Sequence, residues 1–140
     1  MSRPRKVKIF LDSSVIIAAL ISQTGGSFRL LKESSANRLK LFTNQYVIDE
    51  VLEVLNRKYP QLLPKTNLVI NWAKIKIKSN PTLKLIRNYS NIIDPEDTPI
   101  LTGAIKARTN FLVTLDKKHF MTSKLKAQNF AFIITTPGDF

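Results

Sequence analysis

The chain has 140 residues with no cysteine and one histidine, His119, which excludes disulfides, thiolate metal sites and multi-histidine zinc centres. Any metal here would be a hard cation held by oxygen, and the absence of cysteine suits a cytoplasmic setting. With 22 basic residues against 10 acidic ones the net charge is +12, which points to a polyanionic partner, nucleic acid before membrane.

VKIFL, residues 7–11, has the nearly continuous apolar character of a buried strand. Asp12, Ser13 and Ser14 supply N-cap chemistry for a helix through about Ile21, ended by Gly25-Gly26. A basic start before an apolar run raises the question of a signal peptide. Asp12 interrupts that run, Val15 to Ile21 is far below the roughly 20 residues that span a bilayer, and SQTGG offers no small-residue cleavage site. No membrane role is expected.

Ser27 can cap a second helix carrying Phe28, Leu30 and Leu31 and closing near Asn37, and LKLFT (39–43) reads as a short strand. Val47, Val51, Val54 and Leu55 fall at helical spacing over 45–59. After a break at Pro60 and Pro64, a helix is expected from Lys65 through Trp72 to Ile77, with the alternating KIKIK assigned to its end rather than to a strand. LKLI (83–86) is a strand candidate behind the turn Asn80-Pro81. An acid-rich stretch, Asp94-Pro95-Glu96-Asp97, opens the next helix, with Pro99 in its first turn. FLVTL (111–115) is a strand ending at Asp116, and AFIIT (131–135) is a last strand closed by Pro137-Gly138. This alternation predicts an α/β fold: a three-layer α/β/α sandwich around a mostly parallel sheet, with 1–140 as one domain.

The acids are few enough for their places to matter. Asp12 and Asp116 each follow a buried strand, and the C-terminal strand ends of a parallel sheet form one ligand-binding edge. Each acid also has a structural explanation: Asp97 as N-cap, Asp94 and Glu96 at a helix dipole, Glu50 and Glu53 on a solvent face. Together they are harder to explain without a cation, because converging carboxylates repel one another, and Mg²⁺ or Mn²⁺ would relieve that repulsion. The neighbouring serines are expected to cap the first helix and leave the Asp12 carboxylate free where the core stops. The basic groups are short: Arg3, Arg5, Lys6 and Lys8; Lys74, Lys76 and Lys78; Lys117 and Lys118; Lys124 and Lys126. They suit a folded surface rather than a disordered arm.

FLDSSVIIAAL, YVIDEVLEVL and DPEDTPILTGAIKARTNFLVTLDKKHF resemble, in order, the sequence motifs of PIN domains, and ITTPGDF is similar to the tail of bacterial PIN proteins regarded as toxins of toxin–antitoxin pairs. The resemblance implies a Mg²⁺- or Mn²⁺-dependent endoribonuclease whose catalytic acids are Asp12, Glu50, Asp97 and Asp116. It implies metal ligation by Asp12, Asp97 and Asp116, with Glu50 and Asp94 as further candidates, and support from Ser14 and Thr114. Lys117 and Lys118 are candidate nucleic-acid contacts. A small antitoxin protein and a homodimer are the partners implied. The alternative is a nucleic-acid-binding or regulatory module of the same fold with little or no catalysis. Trp72 is expected in the core, Tyr46 and Tyr89 are candidates for stacking on bases, and His119 is expected to be structural or exposed.

Overall fold

The structure is a computed structural model that describes residues 5–140; residues 1–4, and with them Arg3 of the first basic group, lie outside the described residues. Five strands, β1 (Lys8–Leu11), β2 (Lys40–Asn44), β3 (Lys76–Lys78), β4 (Phe111–Val113) and β5 (Ile133–Thr135), form one sheet in the order β3-β2-β1-β4-β5. Every pairing is parallel, with Ile9 in register with Leu41 on one side and Phe111 on the other. The expected mostly parallel sheet is thus parallel throughout. Its centre is β1, whose Ile9, Phe10 and Leu11 are completely buried, as a strand covered on both faces requires.

Helices α1 (Ser13–Ile21), α2 (Gly26–Ser35), α3 (Gln45–Lys58) and α4 (Leu63–Trp72) fill the crossovers that step from β1 to β3. Helices α5 (Leu83–Tyr89), α6 (Thr98–Ala107), α7 (Lys117–Phe120) and α8 (Ser123–Lys126) fill those that return past β1 to β4 and β5. Right-handed crossovers put the two groups on opposite faces, which makes the sandwich three-layered. The winding direction reverses between β1 and β4, and a doubly wound sheet opens its crevice at such a point. No single helix among the described residues is long and apolar enough to cross a membrane.

Two elements differ from expectation. KIKIK is not the end of a helix: α4 stops at Trp72, Lys74 adopts a left-handed backbone (φ 56°) with its Nζ donating to Asn37 Oδ1, and residues 76–78 pair with β2. LKLI is helical rather than a strand, because Thr82 accepts the Leu85 N–H as an N-cap and starts α5. Smaller shifts affect helix starts. The N-cap of α2 is Gly25, and Ser27 lies buried inside its first turn.

One contact fixes the layers over the crevice. Helix α6 crosses β1 and β2 at Gly103, where a Cβ would stand 2.5 Å from Asn44 Nδ2 and 2.7 Å from Phe10 Cζ. Asn44 is fully buried at the end of β2. Its Oδ1 accepts the Val47 N–H and caps α3, while its Nδ2 donates to the Pro99 carbonyl in the first turn of α6. One amide therefore joins the starts of two helices that carry acids, Glu50 on α3 and Asp97 at the head of α6.

Candidate active site

Asp12 leaves β1 at the crevice and is 5% exposed. It is itself the N-cap of α1: Oδ1 accepts the Ser13 N–H at 2.7 Å. Its Oδ2 accepts the Ser14 hydroxyl at 3.0 Å and the Thr114 hydroxyl at 2.7 Å. This corrects the expectation that the serines cap the helix and leave a free carboxylate at the boundary of the core. The carboxylate is buried, and the serines bond to it. Burial raises its pKa above the ordinary aspartate value, the three donors oppose that rise, and the Asp116 charge adds to it.

The β4 end supplies the facing wall. Thr114 is fully buried, and its Oγ1, which donates to Asp12, also accepts the Asp116 N–H at 3.0 Å. Ser14 Oγ accepts the Leu115 N–H in the same way, so two hydroxyls stitch the strand ends together. Asp116 is the N-cap of α7. Its Oδ1 accepts the His119 N–H, and its Oδ2 lies 2.6 Å from His119 Nδ1. The other ring nitrogen of His119 is 3.3 Å from Asp94 Oδ2, and Asp97 Oδ2 is 3.9 Å from Nδ1. The Asp116 hydrogen bond, its charge, and the charges of Asp97 and Asp94 raise the imidazole pKa.

Asp97 heads α6, but its side chain makes no capping hydrogen bond, so its carboxylate is free. Its pKa is raised to about 6, first by burial and then by the charges of Asp12, Asp116 and Glu50, with His119 opposing. Glu50 on α3 is also raised, by burial and by Asp12, Glu96 and Glu53, against a Ser13 hydroxyl that favours its charged form. The four acids named from sequence, carried by four different elements, thus act on one another at a single place.

Asp94 is more exposed than Asp97, with side-chain exposures of 64% and 18%, and meets the group through His119. Glu53 remains on the solvent side, one turn beyond Glu50. Two clefts flank the acids. One, of about 650 Å³, is lined by Tyr46, Glu50, Glu53, Arg57 and Glu96. The other, of about 680 Å³, is lined by Asp94, Lys118, His119, Thr122 and Lys124. Lys118 faces this second cleft, and the neighbouring Lys117 is exposed. Tyr89 lines a separate cavity with Arg108 and Asn110, at the opposite sheet edge. Trp72 is not core. It is 42% exposed and stacks on Phe28 at 5.3 Å between ring centroids.

Sequence reasoning missed two residues. His119 lies among three carboxylates rather than apart from them, a position its spacing from Asp116, one helical turn, could have suggested. Asn44 carried the signal of an N-cap at a strand-to-helix junction.

The family model described as PIN domain matches residues 8–118, well over half of the chain. No curated protein sequence matches. VapBC2 from Rickettsia felis, solved bound to a DNA fragment from its promoter, is similar with a TM-score of 0.67 and 15% identity, over 93% of this chain and 98% of that one. Mycobacterium tuberculosis VapC20, described as a sarcin-ricin loop cleaving toxin, gives 0.58 and 14% over 88% and 97%. PAE2754 from Pyrobaculum aerophilum gives 0.60 and 15% over 91% and 83%. At such low identity these likenesses speak for the fold alone, and the fold agrees with the family match. The matched span runs from β1 into α7 and contains every acid of the crevice, and the chain belongs to the PIN domain family.

Proposed function

We propose that the chain is a metal-dependent endoribonuclease, acting as one nuclease unit over residues 1–140 and serving as the toxin of a toxin–antitoxin pair. The observation that carries this is the electrostatic convergence of Asp12, Glu50, Asp97 and Asp116 in a protein of net charge +12. The donor set is chiefly carboxylate oxygen, in a crevice where burial and mutual repulsion raise the pKa of three of the four acids. That chemistry fits Mg²⁺ or Mn²⁺, held by Asp12, Asp97 and Asp116, with Glu50 and Asp94 as further ligands. Such an ion, when bound, polarises a phosphoryl oxygen and lowers the pKa of water.

The remaining work falls to side chains already in place. Ser14 and Thr114 hold Asp12 in one orientation, and Thr114 aligns the Asp116 backbone. Lys117 and Lys118 would take phosphates flanking the scissile bond. The VapBC2 and VapC20 likenesses support an antitoxin partner and RNA as substrate, and a homodimer and a cytoplasmic setting belong to the same proposal.

The test is cleavage of RNA with Mg²⁺ or Mn²⁺, with chelator, and by Asp12→Asn and Asp116→Asn. Cleavage is expected to need the metal and to be lost in both variants while circular dichroism stays native. Undiminished cleavage by both variants would overturn the assignment. RNA binding with no cleavage across a broad RNA panel would favour a binding or regulatory module instead.

A further inference from the structure

Asp94, Asp97 and His119 differ from the inner acids in offering a nitrogen beside oxygens, and their ligand atoms lie within 4.8 Å of one another. The imidazole is held from one side. Asp116 takes Nδ1 with one oxygen and the His119 backbone N–H with the other, so ring and carboxylate form a fixed pair. A proton on Nδ1 leaves the lone pair on Nε2, which faces Asp94 Oδ2 at 3.3 Å. Metal-ligating histidines are commonly oriented in this way, through the other ring nitrogen, by a carboxylate. Side-chain exposure rises outward, 18% at Asp97, 38% at His119 and 64% at Asp94, and the group opens into the cleft of about 680 Å³ beside Lys118 and Lys124.

We propose that Asp94, Asp97 and His119 form an outer cation site that takes a transition ion such as Mn²⁺ or Zn²⁺ in preference to Mg²⁺, with Asp116 orienting the imidazole. The proposal rests on the inner acids being a metal centre, since Asp97 is shared with it. Mg²⁺ demands hard oxygen ligands and keeps its water, whereas imidazole suits the transition ions. One nitrogen is therefore enough to make the two positions unequal. The competing role for His119 is a counter-charge that neutralises three carboxylates. The two roles predict opposite effects of its removal: loss of a counter-charge strengthens binding of every cation, while loss of a ligand weakens the transition ion selectively.

Tag-free protein, His119→Ala and Asp94→Asn would each be titrated calorimetrically with Mn²⁺ and with Mg²⁺. Asp94→Asn is included because Asp94 is the most open of the three and its replacement spares the α7 cap. Wild type is expected to bind one more Mn²⁺ than Mg²⁺. Both variants are expected to weaken that extra site by about 10–100-fold, and His119→Ala to leave the Mg²⁺ isotherm nearly unchanged. Because His119 is the only histidine, its ring resonances identify themselves in a proton spectrum, and Zn²⁺ should shift them in wild type but not in Asp94→Asn. Mn²⁺ binding to His119→Ala as tight as wild type or tighter would overturn the outer site while the inner centre stands. Wild type that binds no divalent ion would overturn both.

Discussion

Asp97 shows how one residue's surroundings become a measurable property. Its pKa of about 6 stands above the 3.8 of an ordinary aspartate, so the folded chain holds this proton more tightly than the unfolded chain does. Its contribution to stability is fully present below about pH 4 and is lost as pH rises through about 6. Allowing for partial exposure, the loss is about 1–2 kcal/mol. Asp12 and Glu50, also raised, act in the same direction. The urea midpoint of metal-free protein is therefore expected to fall between pH 4 and pH 7. Asp97→Asn should remove much of that fall, and a divalent cation at pH 7 should restore the midpoint. A midpoint that rises over this range without metal would contradict the crowding of these acids.

At the scale of elements, the crevice depends on how closely α6 approaches the sheet. Gly103→Ala must displace Phe10 or Asn44, and a cost of about 1–3 kcal/mol in urea unfolding is expected. Asn44→Ala removes the α3 cap and the tie to Pro99 together, and should cost a similar amount, about 1–3 kcal/mol. If either variant unfolds like wild type, the two helices are held over the crevice by something else. The strands β1 and β4 and the acids that end them were legible from sequence, because a buried parallel strand is an apolar run and Asp12 and Asp116 interrupt or end one. The outcome at KIKIK was not legible. Alternation and helical spacing compete there, and a left-handed Lys74 with a partner 37 residues away decides between them. LKLI fell to a single threonine cap. Asp12 being buried rather than marginal could not be read either, since it depends on Thr114, 102 residues downstream.

The whole molecule combines a basic surface with an acidic crevice. Exposed Lys117 lies next to Lys118 in sequence, and Lys118 and Lys124 border the crevice on one side, whereas the cleft on the other side carries Asp49, Glu50, Glu53 and Glu96. Single-stranded RNA bound to the Asp12→Asn protein is expected to dissociate with salt at a slope of about 0.7 per phosphate neutralised. Replacing Lys117 and Lys118 with alanine should lower that slope by about 1.4. An unchanged slope, measured by fluorescence anisotropy, would move the strand away from α7.

Beyond the crevice, the outermost strands of the sheet bear on assembly. β3 and β5 are three residues each; β3 places an exposed lysine on either side of Ile77, and β5 is followed one residue on by Thr136 and then Pro137. Margins so short, one flanked by lysines and the other closed by Pro137, make poor templates for an incoming strand. Sideways growth of the sheet into a polymer is therefore disfavoured at both margins.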